Sequence, residues 1–176
     1  ENLTYSDLDV NMMSSDFIAV KVGDINGSLQ ANANDIAAEN RASKELTLKI
    51  NDEFFEANKY INIPVSASGM TDMTALQLSF KLDKSALKFH GIMSEGLDIS
   101  KDNYFYNEET GMLTIAYHSE TKIELGQNAI LFTLQLATAD KNKLANALSI
   151  TKSHINNEAY NSNDEKYEAV LRFSDN

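Results

Sequence analysis

None of the 176 residues is a cysteine, which removes disulfides, thiolate metal sites and a cysteine nucleophile together and leaves the redox compartment open. Basic residues are also scarce. Fifteen Lys and Arg stand against 26 Asp and Glu, for a formal net charge of -11 and a pI near 4.6. That balance repels polyphosphate and anionic lipid, so it argues against nucleic acid and membrane surfaces and suits divalent cations or a basic partner. No apolar run approaches the ~20 residues of a membrane span, so no membrane insertion is expected. The first six residues lack the basic and apolar regions of a signal peptide. A chain beginning at Glu1 rather than Met reads as processed or excised from something longer, with any signal sequence outside it. Gly23 and Gly27 stand apart without a phosphate-loop motif. The length is that of one ordinary domain plus a small appendage, enough to bury roughly 70% of the unfolded surface without a staple.

What the chain does have is alternation. In ALQLSFKLDKSALKF, residues 75–89, Leu76, Leu78, Phe80 and Leu82 fall on one strand face and Gln77, Ser79 and Lys81 on the other. Asp83, Lys84 and Ser85 make a polar corner, after which Leu87 and Phe89 resume the period. Leu46, Leu48 and Ile50 alternate in the same way, as do Leu113, Ile115 and Tyr117, then Ile130, Phe132, Leu134 and Leu136, and finally Tyr167, Ala169, Leu171 and Phe173. Residues 60–65 form another run, whose Pro64 marks an edge or a bulge. Residues 66–73 and 94–106 read as polar loops, 107–111 as a hairpin turn, 121–128 as a turn around Gly126, and 141–147 as one helical turn. Some eight or nine short strands with little helix predict an all-β sandwich of jelly-roll type.

The leading segment differs. Residues 17–22, FIAVKV, predict a strand that runs into a dense turn signal, and residues 33–46 predict a short connector helix capped by Asn34 or Asp35. The domain division is therefore 1–44 and 45–176. Between strand and helix, DINGSLQANAND places Asp24, Asn26, Ser28, Gln30, Asn32 and Asp35 at positions one, three, five, seven, nine and twelve of an EF-hand-like loop. Six to eight oxygens converging at about 2.3–2.6 Å is what calcium requires. Leu29 replaces the glycine of position six, and Asp35 is shorter than the usual Glu, so a formed site would be weak, on the order of 10⁻⁴ M. The alternative is a strand-ending turn held by Asp and Asn side chains.

MTALQLSFKLDKSALKF resembles a strand pair of cohesin domains, in which a small loop precedes an alternating strand, an Asp-x-Ser-x-Leu corner and a further strand; AILFTLQLATAD resembles a later cohesin strand. With ETGMLTIAYH and EAYNSNDEKYEAVLRF, the resemblance spans roughly residues 45–173. DFIAVKVGDINGSLQAN resembles the closing calcium-loop half of dockerin-like modules, in degenerate forms known from secreted proteins of Bacteroidetes-type bacteria. The resemblance implies a cohesin-like sandwich, non-catalytic, that binds a dockerin-like protein partner through one sheet face. It also implies an extracellular adhesion or scaffolding role, secreted or surface-displayed.

Catalytic groups do not assemble in the sequence. His90, His118 and His154 are scattered without ligand spacing, and Glu108-Glu109 and Asp164-Glu165 flank turns, so no enzyme is expected. The aromatic trio Tyr104, Phe105 and Tyr106 lies in the loop expected at 94–106, where rigid rings can stack on sugars or anchor a protein. Its other reading is that Phe105 turns inward to cap the sandwich. Met70, Met73 and Met93 are either a soft binding patch or core filling. Besides the attachment module, a carbohydrate-binding module and a structural spacer of an adhesin remain open. If the Asp24 loop binds calcium, millimolar calcium raises the melting temperature of the full chain modestly and Asp24→Ala abolishes the shift; calorimetry showing no shift in the parent refutes the site.

Overall fold

The computed structural model describes residues 44–174. The strand expected at 17–22 and the loop holding Asp24, Asn26, Ser28, Gln30, Asn32 and Asp35 lie outside them. The connector helix expected at 33–46 lies outside them too, except for its last three residues. Those three are strand residues, not helix, because Leu46 belongs to the alternating row of β1 (Lys44–Asn51), which buries Leu46, Leu48 and Ile50.

A two-residue β2 (Phe54–Phe55) leads to β3 (Tyr60–Ser68) and β4 (Asp72–Leu82). Only residues 69–71 separate the last two, so the loop expected at 66–73 is mostly strand, with Met70 and Met73 buried in the core. The corner at Asp83 is where expected. Asp83 Oδ1 accepts from both the amide and the hydroxyl of Ser85, at 2.9 and 2.7 Å, and these bonds hold its carboxyl below the usual range. The chain then enters β5 (Leu87–Ser94). After a single 3-10 turn come β6 (Tyr104–Asn107) and β7 (Met112–Glu124), joined by the hairpin turn expected there. Gly111 in that turn has φ +70, and a Cβ on it would lie 2.5 Å from the Leu82 carbonyl oxygen. β7 runs to Glu124, shortening the turn expected at 121–128 to four residues. β8 (Ala129–Thr138), β9 (Asn142–Lys143), the one-turn α1 (Leu144–Ala147), β10 (Leu148–Ile150), β11 (Glu158–Tyr160) and β12 (Lys166–Ser174) complete the described chain. Four of the twelve strands have three residues or fewer, too short to sustain a clear alternation.

The strands order as β5-β8-β3-β1-β12-β11-β4-β7-β6, with β10 also on β4 and β2 pairing β9 apart. All these pairings are antiparallel except β1 with β12, which run parallel over their full lengths, Lys44 opposite Tyr167 through Asn51 opposite Ser174. The sheet folds over on itself, so that Phe80 of β4 meets Phe132 of β8 edge to face at 6.4 Å across the core. Pro64 is not on an edge strand, because β3 lies between β1 and β8. The bulge reading holds instead: the β3–β8 register shifts at Val65 and Ser66, and β1 pairs β3 only from Ser66 onward. Of the face expected to be wet on β4, Lys81 is exposed and Gln77 half-buried, but Ser79 is fully buried beside the crossover from β10 to β11.

Asp52 ties β1 to α1. Its carboxylate pairs with Lys143 at 2.7 Å and accepts from the Ala145 amide at 3.0 Å, with the side chain 7% exposed. Burial pushes this carboxyl up, but Lys143 and the amide outweigh it and leave it below the ordinary 3.8. A depressed folded value means the stabilisation is complete above the unfolded value and is lost as pH falls through the folded one. Asp52→Asn therefore lowers the melting temperature by about 5 °C at neutral pH. The gap to the parent narrows only as pH drops below 3.8, as thermal melts across pH would record.

Candidate functional site

The aromatic trio does not sit in a loop. It is β6, an outer strand of the sheet, and strand pleating sends its members to opposite faces. Tyr104 and Tyr106 turn inward, their rings 5.5 and 5.0 Å from that of Phe89 on β5. Since β5 and β6 are the two ends of the strand order, these three rings fill the seam where the folded sheet meets itself. Burial raises the pKa of Tyr106, opposed by a hydrogen bond from the Phe89 backbone. Phe105 points the other way and is 67% exposed, so the inward cap is formed by the tyrosines and not by Phe105.

Phe105 lies opposite Thr114 of β7, which lies opposite Ser79 of β4. The same outer face continues through Ala116 and His118 on β7, Gln77 on β4, and Glu158 and Tyr160 on β11. Small side chains at Ala75 and Ala116 leave a shallow hollow of about 240 Å³, walled by Gln77, Asn103, His118 and Tyr160. Its polar groups are ordered. Glu158 Oε1 accepts from Gln77 Nε2 and from the Tyr160 hydroxyl, both at 3.0 Å, while Lys166 approaches its other oxygen at 3.8 Å. Burial, and then the neighbouring Glu158 carboxylate, raise the pKa of the Tyr160 phenol. Asn103 donates to the Ala116 carbonyl at 3.3 Å, fixing the rim where β6 begins. Phe105 thus leaves a large exposed ring on the same outer face as these ordered polar groups.

Catalytic arrangements are not found among the described residues. His90, His118 and His154 are all exposed and lie on different elements, and no three His, Asp or Glu side chains converge to hold a metal. His154 contacts only the adjacent Ser153 hydroxyl, at 3.1 Å. Glu108 and Glu109 sit on the β6–β7 turn, and Asp164 adopts φ +58 in the turn before β12 while Glu165 pairs with Lys44 at 2.6 Å. Among the described methionines, only Met93 is exposed. Among the described residues no helix is long and apolar enough to cross a membrane.

A chain of a type I cohesin–dockerin complex from Clostridium thermocellum, containing the OlpC cohesin, superposes with a TM-score of 0.57 at 10% identity, covering 76% of this chain and 96% of that one. The fold is that of a cohesin domain. The OlpA cohesin complex of the same organism gives 0.56 at 11% identity over 75% and 99%, and a type II cohesin from the cellulosome of Acetivibrio cellulolyticus gives 0.52 at 11% over 74% and 92%. No protein-family profile matches the chain, and no curated protein matches it in sequence. The likeness is one of fold, at 10–11% identity.

Sequence alone does not reveal Gln77, His118, Glu158 and Tyr160 as neighbours, because they come from three strands separated by up to 83 positions. Gln77 and His118 are marked only as the polar side of alternating runs, and no such run marks Glu158 or Tyr160. Phe105 and Tyr106 separate by measurement: Tyr106→Ala opens the seam and costs about 2 kcal/mol in denaturant unfolding. Phe105→Ala leaves stability within about 0.5 kcal/mol of the parent.

Proposed function

We propose that this chain is a non-catalytic attachment module that docks a dockerin-like protein through the outer face of β4, β6 and β7. The observation that carries it is Phe105, a large ring left bare on the same outer face as the ordered Gln77–Glu158–Tyr160 group, on a chain with cohesin architecture. Solved relatives of the fold were crystallised as cohesin–dockerin complexes, which supports a protein as the occupant. The surrounding reading is of a secreted or cell-surface assembly, of the polysaccharide-degrading or adhesive kind, in a Bacteroidetes-type bacterium. In that reading the leading segment is dockerin-like and its Asp24-to-Asp35 loop takes calcium weakly. The acidic balance of the chain fits a partner with a basic docking surface.

The test is affinity capture with a panel of purified dockerin domains, followed by calorimetric titration of any that bind. Phe105→Ala weakens binding at least about tenfold, as expected for truncating an exposed aromatic anchor, with the melting temperature unchanged. Capture of no dockerin, or equal affinity in the variant, rejects the reading.

A further inference from the structure

The opposite face of the folded sheet carries a second group of bare rings. Tyr60 opens β3 and is 78% exposed, the most exposed of the large hydrophobic side chains among the described residues. Register places it opposite Ala137 of β8, and Ala137 opposite Lys88 of β5. The next row is Asn62, Gln135 and Gly91, and the one after is Pro64, Thr133 and Met93. His90 is the extra residue of the β5 bulge between Phe89 and Gly91.

Two strand spacings, about 9.6 Å, separate β3 from β5. The rings of Tyr60 and His90 nonetheless stand 5.3 Å apart, tilted by 59°. Both side chains therefore lean inward over β8, where Ala137 is small enough to admit them. The bulge supplies the second ring. Gly91 gives room beside it: a Cβ there would lie 3.1 Å from Gln135 Oε1, so the amide of Gln135 rests against bare backbone. The result is an aromatic shelf with two side-chain amides, Asn62 and Gln135, along one border.

Charge selects the occupant. The chain carries -11, yet the nine register positions of these three rows hold one cation, Lys88, and no carboxylate. Beyond these positions, Glu95 accepts from Thr133 at 3.5 Å in the third row, and Glu108 shares a hollow with Lys88 at the far end of the first. A basic protein finds little to pair with here. A polyhydroxylated ring finds what it needs, an apolar face to stack its C–H groups on and amides that both donate and accept beside it.

We infer that this shelf is a glycan-binding site, with a pyranose ring stacked on Tyr60 and its hydroxyls bonded to Asn62 and Gln135. The site lies across the sheet from Phe105 and is independent of the protein-docking face. Affinity electrophoresis of the full chain through gels containing neutral xylan, neutral mannan or polygalacturonate tests it, followed by titration with oligosaccharides of the retarding polymer. At least one polymer retards the parent; Tyr60→Ala weakens that binding about tenfold and Tyr60→Phe preserves it. Asn62→Ala and Gln135→Ala each weaken it about three- to tenfold. Phe105→Ala leaves it unchanged, which separates this site from the docking face. Loss of binding to polygalacturonate alone at high salt assigns Lys88 a share in an acidic glycan, and salt-insensitive retardation assigns a neutral one. Retardation by none of the three, retardation equal in Tyr60→Ala, or a Tyr60-dependent protein partner without glycan binding overturns the inference.

Discussion

At Ser79 the hydrogen-bond ladder on one edge of β4 changes partner, and a side-chain amide fills the gap. β11 pairs with β4 from Ala75 to Gln77 and β10 pairs with it from Phe80 to Leu82. Between them Asn157 Oδ1 accepts from the Ser79 amide at 2.7 Å and its Nδ2 donates to the Thr151 carbonyl at 3.0 Å, while the Thr151 amide donates to the Ser79 carbonyl at 2.9 Å. Asn157 thus stands in for a strand residue, and β4 stays satisfied along a line that no single strand covers. The inward row of Leu76, Leu78, Phe80 and Leu82 depends on that continuity. Each of these side chains contributes about 2 kcal/mol by burial, but only while the backbone presenting them keeps its partners. The Ser79 hydroxyl, buried with no partner, is the cost of closing the face at this point.

The sheet architecture could be read from the chain because a pleated strand with one buried face must alternate, and β1, β4, β7 and β8 all do. The corner at Asp83 and the turn at Gly111 were equally plain, since side-chain caps and positive φ demand particular residues. What alternation cannot show is pairing. Tyr104, Phe105 and Tyr106 sit among polar residues, and only the meeting of β5 and β6 turns two of them into core and one into surface. Pro64 announced an irregularity without saying on which side of β3 a neighbour would be absent. Tyr60 looked like an ordinary strand residue, because its exposure follows from Ala137 and the β5 bulge, each far away in sequence.

The two outer faces inherit different chemistry from a shared backbone. On β4, β7 and β11 the outward positions carry interlocked polar groups around a small-residue hollow, with the single bare ring of Phe105 at the border. On β3, β8 and β5 they carry unlinked amides, a proline and bare apolar groups at Tyr60, Met93 and Ile130.

The parallel pairing of β1 and β12 has a mechanical result. The described chain enters that pair at Lys44 and leaves it at Ser174, at opposite ends of a ladder about 25 Å long. Tension along the polypeptide at those two points pulls the strands lengthwise past each other, so every rung bears load together and none can be unzipped first. A module strung between a moving body and an anchored one would hold by shear.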